Sequence, residues 1–205
     1  SNFSGGDGEA SLEYLGNAQS AYESSYELKS NEAANDWSDL ISFIDFINNT
    51  SDLDFETNLG AHIDLGPFLS SAALDNLFGN LDSYTQSARN YYVYHNLGMD
   101  KWQWIKWDGN ESFGSYGFMG PLNPSNLDIY YYASSRPLLE RVFASQALKS
   151  QYTSEVCLLI STIFNPDYLN PIIDDLKELI EDDVYADNNK MFSNADFDTN
   201  IETNL

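Results

Sequence analysis

Cations are scarce in this chain. Nine Lys and Arg stand against 32 Asp and Glu, for a formal net charge of -23 at pH 7. Such a surface lacks the clustered cations that displace counterions from nucleic acid or bind an anionic membrane, so both are excluded as partners. It suits divalent cations and basic proteins instead. Cysteine is nearly absent: the single Cys157 excludes an internal disulfide, and its place in the apolar run VCLLI reads as a buried thiol. The two histidines, His62 and His95, have no ligand spacing, which argues against a zinc enzyme. No apolar run has the length of a membrane span, so no membrane insertion is expected. No signal-peptide pattern and no phosphate loop of the Gly-x-Gly-x-x-Gly type is read in these residues, and removal of a targeting segment is compatible with that.

The chain does have apolar and aromatic substance. Its 205 residues are 42% hydrophobic and 15% aromatic, enough for one globular domain with a core. It opens Ser-Asn-Phe rather than with Met, which reads as a processed product. Residues 1–12 are polar, Gly-rich and expected to be flexible.

Periodicity predicts a helix from Asn35 or Asp36 to Asn48, with Trp37, Leu40, Ile41, Ile44 and Ile47 on one face. A polar turn is expected over 48–54. A second, deeply packed helix is predicted from Gly66 to Gly79, with Pro67 in its first turn. Two aromatic strands, 91–95 and 101–107, read as a hairpin. A long Gly, Pro, Asn and Ser loop covers 109–128. Helices are predicted from Pro137, over 152–164 and over 172–184. The fold class expected is α+β, mainly α. Composition divides the chain into a domain over 1–185 and a loose acidic tail over 186–205, in which DFDTN lacks the Gly and terminal Glu of a calcium loop.

Two short motifs carry the chemistry. GNLDSY (79–84) leaves the end of the second helix, and WIKWDGNESFG (104–114) ends the hairpin. Each sets one Asp, Asp82 or Asp108, against apolar surface, where a carboxylate is costly without a cation or hydrogen-bond donors. Asp82 reads as a base for an acceptor hydroxyl or as a turn residue. Asp108 reads as a hard-oxygen ligand for Mg2+ or Mn2+ or as a strand-terminal Asp opening a turn. Asn90, before the first strand, offers a neutral ligand or a strand-end cap. Asn110 is an auxiliary ligand or a turn residue. Lys106 contacts a phosphate or lies over the aromatics. Tyr92, Tyr94, Trp102, Trp104 and Trp107 make the hairpin aromatic.

The ordered set GNLDSY, RNYYVYH, WQWIKWDGNESFG and RPLLERVF, with YELKSN, DWSDLISFIDFINN and IDLGPFLSS upstream, resembles the CotH kinase-like family of spore-coat and secreted proteins, over roughly 12–156. The resemblance implies the C-terminal lobe of an atypical protein-kinase-like fold that uses ATP and Mg2+ or Mn2+ to phosphorylate Ser or Thr of a partner protein, basic or rich in Ser and Thr. It implies Asp82 as the catalytic Asp, Asp108 as the metal Asp and Asn90 as a second ligand. It also implies an extracellular, cell-surface or spore-coat setting, within a secreted multidomain protein. Leu81 stands where the family commonly has Trp, and Asn110 where it commonly has a second acid. The resemblance begins near the middle of the family's domain, so a lobe carrying the phosphate-binding Lys is expected upstream. Two other readings stand beside this one. The first is a non-catalytic secreted protein presenting the aromatic hairpin to carbohydrate or a protein. The second is a glycosidase using Asp82 and Asp108 as paired acids.

Overall fold

A computed structural model describes residues 9–114 and 126–203. Among them are seven α-helices and one two-stranded antiparallel sheet, so the chain is α+β and mainly α. A 3-10 turn at Gln19–Ala21 precedes α1 (Ser38–Asn49), α2 (Asp52–His62) and α3 (Leu65–Leu77). The hairpin follows as β1 (Tyr91–Asn96) and β2 (Lys101–Lys106). The remaining elements are α4 (Pro137–Ala144), α5 (Gln146–Thr162), α6 (Pro166–Ala186) and α7 (Asn194–Thr203). The chain divides into two compact units, Ser1–Val156 and Cys157–Leu205. No single helix among the described residues is long and apolar enough to cross a membrane.

The first unit holds the elements that matter for chemistry. In α1, Leu40, Ile41, Phe43, Ile44 and Ile47 are buried, as the helical period requires. The stretch expected to be a turn instead starts α2. Ser51 caps it, with Ser51 Oγ accepting from the Asp54 N–H at 3.1 Å and donating to the Asp54 carboxylate at 2.7 Å. Only Phe55 and Leu59 of α2 are buried, too sparse an apolar pattern to read as a helix.

Register in the hairpin runs from Tyr91 opposite Lys106 to Asn96 opposite Lys101. The outer edge of β2 is covered: Ile63 bridges Trp102, and the Asp64 N–H donates to the Trp102 carbonyl at 2.8 Å. Trp104 stacks on Tyr91 with centroids 4.2 Å apart and takes the edges of Phe68 at 5.0 Å and Tyr84 at 5.1 Å. Trp102 lies between Phe43 at 5.3 Å and His95 at 4.8 Å. Tyr91, Trp102 and Trp104 are therefore core residues. Tyr92 stacks on Trp107 at 5.7 Å, and of the aromatic strand residues only Tyr94 is largely exposed.

In the second unit, α6 is capped by Asn165 Oδ1, which accepts from the Tyr168 N–H at 3.0 Å, and it carries Pro171 inside it. A reciprocal Ser193–Asp196 pair starts α7 in a stretch whose polarity had suggested no helix. Tyr185 of α6 donates to Asp198 of α7 at 2.9 Å and sets its ring edge-on to Phe197. Cys157 is exposed, against the expectation of a buried thiol. Within the run VCLLI, Val156 and Leu159 are the buried residues, and the helical turn sends Cys157 to the other side.

Candidate functional site

The path to the site begins at the end of α3. Gly79 has φ of 58°, and its N–H donates to the Asn76 carbonyl at 3.3 Å while the Asn80 N–H donates to the Asp75 carbonyl at 2.8 Å. These are the two bonds of a Schellman cap, for which glycine at the left-handed position is favoured. The cap turns the chain sharply and delivers Leu81, which is buried, and then Asp82.

Asp82 is partly buried, its side chain 18% exposed. Its carboxylate is held on both oxygens: Ser87 Oγ donates to Oδ1 at 2.8 Å, and Asn90 Nδ2 donates to Oδ2 at 2.9 Å. The same Asn90 amide nitrogen reaches the Asp82 main-chain carbonyl at 2.8 Å. Arg89 Nε lies 3.9 Å from Oδ1. Two of the residues singled out from the sequence thus meet directly, eight positions apart. A carboxylate oxygen has room for two hydrogen bonds, so each oxygen keeps one free direction for an incoming hydroxyl.

Asn90 is buried, and its nitrogen is spent on Asp82, which leaves Oδ1 as the amide's remaining polar atom. Its carbonyl accepts from the Trp107 N–H at 3.3 Å, extending the hairpin ladder by one pair. Asp108 is the next residue along. Asn90 and Asp108 both take left-handed backbone, at φ of 58° and 56°, a conformation that Asn and Asp tolerate better than most residues. The Asp108 carboxylate is half-buried and has no hydrogen-bond or ion-pair partner among the described residues. The second motif then closes on the first: the Phe113 N–H donates to the Phe78 carbonyl at 2.5 Å, and the Gly114 N–H to that of Gly79 at 3.3 Å. Asn110 is exposed on this loop. Positions 115–125 of the long loop lie outside the described residues.

Among the described residues, no group of three or more His, Cys, Asp or Glu side chains could hold a metal ion. A divalent ion carried in by phosphates needs no such group, since Mg2+ uses one or two protein carboxylates and completes its shell with phosphate oxygens and water. A neutral amide oxygen and an unpaired carboxylate at one end of a hairpin fit that requirement.

Sequence reading passed over three residues here. Asp75 is on the buried face of α3 and is 4% exposed. It pairs with Lys106 and accepts from Asn80 Nδ2 at 3.2 Å, so one α3 carboxylate ties both motifs together. Lys106 is thereby engaged by Asp75, not merely laid over the aromatics. A signal was present in the sequence: an Asp within the apolar period of Phe68, Leu69, Ala72 and Ala73 must have a partner. Burial pushes the Asp75 carboxyl up to about 6, with the Lys106 charge and hydrogen bonds from Ser83 and Asn80 working the other way. Between about pH 4 and 6 the folded protein therefore holds a proton here that the unfolded chain has released. The stability from this group is full near pH 4 and is lost as pH rises through about 6. Chemical denaturation across that window should show wild type losing stability relative to Asp75→Asn, by at most ~1.4 kcal/mol per pH unit. A pH-independent difference between the two proteins would contradict the assignment.

Arg136 is the second omission. It is 1% exposed and uses every N–H: Nε to the Tyr84 carbonyl at 2.8 Å, Nη1 to the carbonyls of Ser134 at 3.1 Å and Ser135 at 2.8 Å, and Nη2 to the Gln86 carbonyl and to Glu9 at 2.9 Å. It pins the segment that follows Asp82. The third is Arg89, which lines a cleft of about 890 Å³ between residues 25–31 and β1. Tyr92, Tyr94, His95 and Lys29 also line this cleft. Its volume is in the range of small-molecule sites.

The family model described as CotH kinase protein matches residues 4–205, wider than the span over which the motifs carry the resemblance. No curated protein matches the chain.

Proposed function

Because the chain belongs to the CotH kinase protein family, we propose that it is a protein kinase of that family, transferring phosphate from ATP to Ser or Thr of a protein partner. Its kinase-like character follows from the family. The reaction, its residues and its substrate are the proposal. The observation that carries it is the Asp82–Asn90 pair: a carboxylate held on both oxygens and bound through an amide to the residue that starts the hairpin.

ATP would supply the γ-phosphoryl group, its bond to the β–γ bridging oxygen breaking as ADP leaves, and a bound divalent ion would supply positive charge to the phosphates. The protein's own residues do the remaining work. Asp82 orients the acceptor hydroxyl and takes its proton as the new O–P bond forms. Ser87 and Asn90 keep the carboxylate from rotating. Asn90 Oδ1 and Asp108 would hold the ion, the first adding no charge and the second one negative charge. The acidic surface suits a basic or Ser/Thr-rich phosphoacceptor, in an extracellular or spore-coat setting.

Calorimetry of the full chain with ATP tests the reading. Binding is expected with Mg2+ or Mn2+, to fall at least ~10-fold in EDTA, and to fall comparably in Asp108→Ala. ATP affinity indifferent to the metal would remove Asp108 and Asn90 from the role given them. The reading of an aromatic display surface is disfavoured by the burial of Tyr91, Trp102 and Trp104 in the core.

A further inference from the structure

Resting on the kinase reading, we propose that Arg89 is a substrate-contacting residue. It grips the phosphates of a nucleoside triphosphate lodged in the cleft between residues 25–31 and β1, and leaves Asp82 to do so.

A triphosphate is strongly anionic, and a chain with nine Lys and Arg has few cations to offer it. Each cation near the site has a place. Lys106 is taken by the buried Asp75. Lys29, across the cleft, pairs with Glu27 at 2.5 Å. His95 sits against Asp39 at 3.1 Å and Asp100 at 3.4 Å. Arg89 differs from all three. Its side chain is 47% exposed, it lines the cleft, and its one ion-pair neighbour among the described residues is Asp82 at 3.9 Å, too long for a hydrogen bond. A guanidinium held that loosely keeps its five donors for another anion, and its planar fork matches phosphate oxygens.

Backbone geometry supports the placement. Arg89 stands between Ala88 at φ of 52° and Asn90 at φ of 58°. Left-handed backbone is costly for alanine, and Ala88 is buried and held there by the Ala10 N–H, which donates to its carbonyl at 3.0 Å. Such strain is concentrated at working sites. Here it turns Arg89 outward while its neighbour Asn90 turns inward to Asp82. One step of chain thus separates a cation lining the cleft from the amide that would hold the metal. Phosphate binding would draw Arg89 off Oδ1 and leave that oxygen with Ser87 alone.

The test is binding, independent of turnover. Titrate full-length wild type, Arg89→Met and Arg89→Lys with Mg-ATP and with adenosine. Arg89→Met is expected to weaken ATP by ~10- to 100-fold and adenosine by less than about twofold, with Arg89→Lys in between for ATP. Equal ATP affinity in wild type and Arg89→Met overturns the inference and leaves the kinase reading standing. Equal weakening of ATP and adenosine overturns it too, because that marks a collapsed cleft. Wild type that binds neither ligand overturns the kinase reading, and this inference with it.

Discussion

Asp82→Asn is expected to lower phosphate transfer from labelled ATP by ~10²- to 10⁴-fold, the contribution of a positioned base. The substitution preserves shape but removes the proton acceptor. It also leaves one acceptor oxygen where Ser87 and Asn90 had two, so one of them loses its partner. Circular dichroism and thermal melts of the variant separate lost chemistry from lost fold. ATP binding should persist, because the residues proposed to hold the metal are Asn90 and Asp108, not Asp82. Incorporation at the wild-type rate by a folded Asp82→Asn protein would take Asp82 out of the mechanism.

The second large effect concerns stability. Arg136→Met, which keeps bulk and removes every donor, is expected to cost about 3–5 kcal/mol. Four main-chain carbonyls, those of Tyr84, Gln86, Ser134 and Ser135, lose the donor of a guanidinium that is itself 1% exposed. A buried acceptor left unpaired costs about 1–3 kcal/mol, so even partial rearrangement leaves a loss of that size. The total stability of a domain is about 5–15 kcal/mol, so the variant should unfold at much lower urea. Arg136→Lys should fall between, because three donors cannot replace five in a planar fork. An unfolding free energy for Arg136→Met, from urea titration, within about 1 kcal/mol of wild type would mean that water replaces the guanidinium. The prediction reaches the site as well, since Arg136 fixes the segment that carries Asp82 to Asn90.

Some of this was legible in residue order. The helix from Leu65 to Leu77, the hairpin and the Asp82, Asn90 and Asp108 positions follow from local pattern and motif resemblance. Such features depend on neighbours close in sequence: apolar period, cap chemistry and aromatic alternation. The α2 helix escaped because only Phe55 and Leu59 mark its buried face, while its start rests on the short-range Ser51–Asp54 pair. The exposure of Cys157 escaped because an unbroken apolar run says nothing about which residues the helical turn sends inward.

By itself, then, the sequence determined a mainly helical, acidic chain with an aromatic hairpin and two acidic motifs of the CotH kind. Only the tertiary structure decided what each charge is for. Asp75 meets Lys106 across 31 positions, and Arg136 meets Tyr84 across 52. Arg89 faces a cleft whose other wall is some sixty residues away in the chain. The physical reason is one of range. Hydrophobic period acts over a turn or two and can be read locally, but the fate of a buried charge depends on which distant partner the fold brings to it.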